Sequence, residues 1–235
     1  MSDERRDAIR SNLAAVRERI DGAVATSRRS GSGVTLVVVT KTWPVSDLRI
    51  LYDLGVRDFG ENRHQEAAEK AASLADLDVR WHFIGQVQSN KARRIAEYAD
   101  AVHSVDSVRV ARRLDAGAHG GNRAVDCFIQ VSLDPAEASA GRGGASPETV
   151  PAVADFIAGC GLLRLAGVMG VAPRSAEPAA AYDRLGAVSR QLRLAHGAAT
   201  GISAGMSDDF EAAVRAGATH VRVGSAVLGR RPSLG

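Results

Sequence analysis

The sequence predicts a single (β/α)8 barrel domain spanning residues 1–235, with an extra helix at its N-terminus. Three observations predict it. Short apolar or β-branched runs alternate with amphipathic stretches from residue 34 onward. Eight such units fit a chain of 235 residues, a length suited to one closed barrel. The first strand is followed by Lys41-Thr42-Trp43-Pro44, where an open dinucleotide-binding sheet would place a glycine-rich turn. Strands alternating with helices pair in parallel through right-handed crossovers.

The opening segment reads as a helix, because Ile9, Leu13, Val16, Ile20 and Val24 recur at three- and four-residue steps. Turn-formers at 27–33 end it. Residues 34–39 (VTLVVV) form a buried strand. Pro44 opens a helix to about Leu54, which Gly55 closes. The strand 56–59 leads to a helix over 62–75. Strand 80–84 leads to a helix over about 89–98, and strand 101–105 to a helix over about 107–117. Strand 125–131 precedes an Ala/Gly-rich loop at 134–146. Pro147 then opens a helix to about Ala158. Strand 163–169, a helix over 177–195, a weak strand at 201–203, a helix over 207–216 and strand 219–223 complete the pattern.

Hydrophobic residues make up 45% of the chain, enough for a sizeable core, and aromatics only 4%. That balance does not suit an aromatic sugar or peptide groove. The net charge of +3 tolerates a phosphorylated ligand. Basic clusters at Arg28-Arg29, Lys91 with Arg93-Arg94, and Arg230-Arg231 are short and lack interleaved aromatics, so they read as solvated surface rather than a nucleic-acid interface. Cys127 and Cys160 lack metal-ligand spacing and read as reduced thiols. No metal constellation is evident. With no apolar leader core and no membrane-length run, the expected location is the cytoplasm.

Barrels hold their ligands at the C-terminal ends of the strands. Lys41 stands there after the first strand. A partly desolvated lysine becomes a Schiff-base nucleophile, although a surface lysine opening a loop has the same local pattern. Asn62, after the second strand, serves either as a donor to a ligand ring or as a helix N-cap. His82 reads as a structural histidine. Ser203, Gly205, Met206 and Ser207 lie between strand and helix, as do Gly224 and Ser225. Small residues at such points let backbone N–H groups approach a phosphate. Asp208 and Asp209 oppose a phosphate unless they face outward. Arg222, between Val221 and Val223, meets the ligand if it points inward.

Long blocks then carry a resemblance. VVVTKTWP (37–44), FGENRHQE (59–66), WHFIGQVQSNK (81–91), HSVDS (103–107), GVMGVAP (167–173) and GMSDDFEAAVRAGATHVRVGSAVLG (205–229) resemble the pyridoxal phosphate homeostasis proteins, which are themselves similar to the N-terminal barrel of alanine racemase. The resemblance covers about Val34 to Gly229. It implies a pyridoxal 5'-phosphate cofactor held as a Schiff base on Lys41, with Asn62 near the ring. It implies a phosphate cradle of Ser203, Gly205, Met206, Gly224 and Ser225, and Arg222 facing the pyridine nitrogen. It implies a role in vitamin B6 homeostasis and cofactor supply. Many members carry a second lysine two residues after the first; here that residue is Trp43.

A non-catalytic carrier is the expected role, with no catalytic residue assigned. The racemases draw their second base, a tyrosine, from a further domain, and this chain ends at Gly235. Tyr52, Tyr98 and Tyr182 fall on outer helices, away from the mouth. An always-charged guanidinium at the ring nitrogen also disfavours ring protonation, which makes a poorer electron sink. The alternative is a pyridoxal phosphate enzyme with weak amino-acid racemase activity. The expected partners are the cofactor and, transiently, apo-enzymes that receive it, with the chain itself a monomer.

Overall fold

The computed structural model describes residues 3–27, 33–134, 143–173 and 177–229. The expectations for Arg28-Arg29, Arg230-Arg231 and most of the 134–146 loop lie outside them. Eight parallel strands close into a barrel in chain order, with β8 pairing back to β1. They are β1 (Thr35–Val39), β2 (Asp58–Glu61), β3 (Arg80–Phe83), β4 (Ala101–Val105), β5 (Val125–Gln130), β6 (Leu163–Met169), β7 (Gly201–Ser203) and β8 (His220–Val223). The helices are α1 (Asp3–Ala25), α2 (Val45–Asp53), α3 (His64–Ser73), α4 (Ala92–Ile95), α5 (Val108–Gly121), α6 (Val150–Ala158), α7 (Pro178–Ala195), α8 (Phe210–Arg215) and α9 (Ser225–Leu228).

Several boundaries differ from the sequence reading, each for a local reason. Helix α6 starts at Val150 with Pro151 in its first turn, not at Pro147. Proline suits that position because its missing N–H has no helical partner there anyway. Helix α5 runs through Gly117 to Gly121 and stops at Asn122, which takes the left-handed conformation at φ 47°. Its Ser107 N-cap accepts from the Val110 N–H. Helix α4 is a single turn rather than a helix over 89–98. Helix α8 begins at Phe210, three residues later than expected, because Ser207 to Asp209 belong to the loop that shapes the site.

Helix α1 lies outside the barrel on α8, α9 and α2. It buries Ile9, Leu13, Val16, Ile20 and Ala23 in one cluster with Phe210, Val214, Val227 and Leu228. Each such aliphatic side chain contributes on the order of 2 kcal/mol. Polar bonds fix the docking: Arg5 pairs with Asp47 at 2.6 Å and donates to the Leu228 carbonyl, while Asn12 donates to the Val227 carbonyl. Helix α1 therefore carries the carbonyl end of α9.

Barrel interiors are usually filled with branched aliphatics. Part of this one is filled with imidazoles. The His103 ring stacks on Phe128 at 4.4 Å and meets His82 edge-on at 5.1 Å. His220 packs against Phe128 at 5.0 Å. Burial, with His82 close by, holds His103 well below the usual imidazole range and His220 at about 4. Backbones also approach closely here. Gly167 has φ 151°, and a Cβ on it would stand 1.8 Å from the Gly201 carbonyl oxygen, at the register shift between β5 and β6.

Two outcomes follow from this interior. Gly167→Ala should lower the unfolding free energy by on the order of 3 kcal/mol, read from urea melts; a change within error would place the β6–β7 approach elsewhere. Stability should also fall on mild acidification. His103 and His220 have depressed folded-state pKa values, so only the unfolded chain takes up their protons as the pH drops below about 6.5. Asp58 adds to the loss lower down. Burial raises its pKa, but the hydrogen bond from His82 and the nearby Arg80 cation outweigh that and hold it below the carboxylate norm. A urea midpoint unchanged between roughly pH 7 and roughly pH 5 would contradict the neutral, buried state of the two rings.

Candidate functional site

A cavity of about 400 Å³ opens at the C-terminal ends of the strands, lined by Val39, Lys41, Trp43, Ile84, Met206, Ser207, Asp208, Arg222, Gly224, Ser225 and Gly229. Ligand pockets run from roughly 300 Å³ upward. Position in the fold explains the membership. Lys41 follows β1, whose last residue Val39 also lines the cavity, and Gly224 follows β8, which carries Arg222. Lys41, Met206, Arg222, Gly224 and Ser225 are thus brought together as the sequence reading expects.

Arg222 forms the floor at 4% exposure. Its guanidinium donates to Ser203 Oγ at 2.6 Å and to the Gly170 carbonyl at 3.1 Å. Both acceptors are neutral. Burial pulls its pKa down to about 10, with the nearby Asp209 carboxylate working the other way, so it remains a cation near neutrality. Behind it runs a chain of short contacts: Ser203 Oγ to His103 Nδ1 at 2.7 Å, His103 Nε2 to His82 Nδ1 at 2.9 Å, and His82 Nε2 to Asp58 Oδ1 at 2.8 Å. One donor direction satisfies every atom. Arg222 donates to Ser203, Ser203 to His103, His103 to His82, and His82 to the Asp58 carboxylate. The floor cation is thereby linked to a carboxylate four hydrogen bonds away.

The opposite wall is built from two loops. Asp209 Oδ1 accepts from the Met206 N–H at 2.6 Å, and its Oδ2 accepts from the Tyr182 hydroxyl at 2.7 Å. Ser225 Oγ donates to Ser207 Oγ at 3.1 Å, and the Ala226 N–H donates to the same Ser207 oxygen at 3.4 Å. These bonds tie the loop after β7 to α9. Trp43 closes a side wall with the Arg5 guanidinium 4.6 Å from its ring centroid.

Several expectations need correction. Ser203 does not line the cavity: its hydroxyl is fully buried between Arg222 and His103. Gly205 does not line it either. It turns the loop at φ 91°, and a Cβ there would strike Phe210 and Ala213 of α8. Asn62 lines a neighbouring pocket with His64, Gln86 and Lys91; its carbonyl is seated against Gly85, where a Cβ would fall 2.1 Å away. Nor is it the N-cap of α3, which is Arg63. Asp208 is exposed, as expected, at the rim of the cavity, whereas Asp209 turns inward to the loop backbone. Tyr182 sits on an outer helix yet reaches the site through Asp209. His82 has the structural role expected of it.

The sequence reading assigned no site role to Ile84, Gly229, His103 or Asp58. Ser207 stood there only as part of the small-residue loop that can approach a phosphate. His103 and Asp58 had only strand alternation, which does not say that both side chains bond to His82 on the strand between them.

Residues 5–232 match the family described as alanine racemase, N-terminal domain. The chain is 42% identical over 226 residues to the pyridoxal phosphate homeostasis protein of Pseudomonas aeruginosa, covering 95% of this chain and 96% of that one. It is 42% identical over 221 residues to the protein of the same name from Corynebacterium glutamicum, covering 91% and 98%. Among solved structures it is similar to PipY of Synechococcus elongatus with pyridoxal phosphate bound, at TM-score 0.81 and 34% identity, covering 94% of this chain and all of that one. The chain belongs to the alanine racemase N-terminal domain family and, within it, to the pyridoxal phosphate homeostasis proteins.

Proposed function

We propose that this chain holds pyridoxal 5'-phosphate at the mouth of its barrel as a Schiff base on Lys41. We propose further that it serves vitamin B6 homeostasis by storing the cofactor and supplying it to apo-enzymes. The observation that carries this reading is the pairing, in one cavity, of Lys41 with a buried Arg222 whose hydrogen-bond acceptors are both neutral. A cation so placed attracts an electron-rich ring nitrogen or an anionic ligand. The cofactor named for the relatives has both features.

The lining fits the group. When bound, the cofactor supplies an aldehyde that condenses reversibly with amines. Lys41 provides the amine. Arg222 faces the ring nitrogen and, being charged, keeps a proton off it. Ser207, Ser225 and the backbone at Met206 and Gly224 receive the phosphate. Gly205 acts one step back by turning that loop, and Ser203 by holding Arg222. Asn62 contributes from the neighbouring pocket. The protein acts as one domain and as a monomer, and contact with recipient enzymes is transient. A weak amino-acid racemase is the competing reading, and it requires a proton acceptor on the face away from Lys41.

Borohydride treatment after incubation with pyridoxal phosphate should fix the cofactor to Lys41, seen by peptide mapping, and Lys41→Ala should show no adduct. An adduct on another lysine would overturn the assignment. Ser225→Ala should weaken cofactor retention by about 1 kcal/mol, measured by equilibrium dialysis; unchanged retention would move the phosphate away from α9. The loaded protein should activate a pyridoxal phosphate apo-enzyme without turning over amino acids itself, and robust turnover by the pure protein would remove the carrier role.

A further inference from the structure

The residues flanking Lys41 are held by a buried ion cluster. Helix α3 carries Glu66 and Lys70 one turn apart, on the same face. Lys70 is 6% exposed, and its ammonium reaches three oxygens at 2.7 Å each: the Thr40 carbonyl, Glu61 Oε1 and Glu66 Oε1. An ammonium has three donors, so all are used. The Thr40 hydroxyl donates to Glu61 Oε1 at 2.7 Å. Glu66 Oε1 accepts from the Thr42 backbone N–H.

The Thr40 carbonyl belongs to the peptide entering Lys41, and the Thr42 N–H belongs to the peptide leaving it. Both peptide planes bracketing Lys41 are therefore held from α3. Thr42 also has φ 70°, a region in which a β-branched residue is an outlier. Such a conformation persists only where its surroundings over-determine it. Stability alone does not account for the cluster, because well-packed aliphatics in place of a buried ion pair are often as stable or more so. Glu61 Oε2 is buried with no hydrogen-bond partner, which adds to the cost.

We propose that Lys70 and Glu66 are positioning residues for Lys41, fixing the backbone on either side so that the lysine enters the cavity in one orientation. The inference rests on the reading of Lys41 as the condensing amine. In that step the neutral Lys41 amine adds to an aldehyde carbon and a C=N bond forms. Both amine protons leave with the carbonyl oxygen as one water. The step depends on placement, since a shift of about 1 Å can cost on the order of a hundredfold in rate.

The test compares Glu66→Ala with Glu66→Gln, which keeps an acceptor oxygen for the Thr42 N–H. Two quantities are measured: the rate of Schiff-base formation with pyridoxal phosphate, by absorbance and borohydride mapping, and the affinity for 4-deoxypyridoxine 5'-phosphate, which lacks the aldehyde. Glu66→Ala should slow condensation by about tenfold or more and leave the affinity for the deoxy compound within about twofold of wild type. Glu66→Gln should recover most of the rate. Lys70→Met should behave as Glu66→Ala does; if it fails to fold, the Glu66 pair still decides. Equal condensation rates in wild type and Glu66→Ala would overturn the clamp alone, as would parallel loss of rate and of deoxy-compound affinity. No adduct on Lys41 in the wild-type protein would overturn the cofactor reading and the clamp with it.

Discussion

A guanidinium sealed inside a barrel with no carboxylate against it constrains everything around the site. Arg222 cannot give up its charge near neutrality, and its direct acceptors are a hydroxyl and a backbone carbonyl. Isolated buried charge is costly. The structure meets that cost with a line of oriented dipoles ending at Asp58. Every member of the line is committed to one donor direction. This explains why Ser203 is unavailable to a ligand, why a stacked histidine occupies an interior position that branched aliphatics usually fill, and why Asp58 keeps its charge although half withdrawn from water.

The same constraint sorts what sequence could and could not reveal. The barrel was legible because it depends on local pattern: period-2 runs such as 34–39, amphipathic stretches such as α1, and turn residues between them. The ends of the first and eighth strands were legible as ligand positions, since Lys41 follows one strand and Arg222 lies near the end of the other, but alternation alone left the direction of Arg222 open. Boundaries set by loop chemistry were less so. Helix α8 starts late because Asp209 spends its carboxylate on the Met206 N–H and Tyr182, and nothing in GMSDDFEA distinguishes that from an ordinary first turn. Asn62 and Ser203 lie outside the cavity lining because their neighbours in space, Gly85 and His103, hold them there, although their neighbours in sequence suggest the cavity. The relay and the Lys70 cluster join residues up to a hundred positions apart, and among the bonded partners only Glu61, Glu66 and Lys70 share a short local window.

Two buried charge systems serve opposite walls of one cavity. The relay steadies Arg222 at the floor, and the α3 cluster steadies the peptide planes around Lys41. Neither touches the third wall, where α9 and the loop after β7 are joined by the Ser207–Ser225 contact and carried by Arg5 and Asn12 of α1. The guanidinium and the peptide planes around the amine are thus held at several points, while the hydroxyl wall hangs on a few hydrogen bonds, with Met206 42% exposed beside it. Under the proposed function this asymmetry has a direct consequence. A reversible covalent bond to a rigidly aimed amine provides retention where enclosure is slight. Because that bond is undone by one water, release depends on chemistry at Lys41 rather than on a large opening motion. A cofactor donor needs that combination, holding a reactive aldehyde out of solution while leaving its phosphate end within reach of the solvent-facing rim.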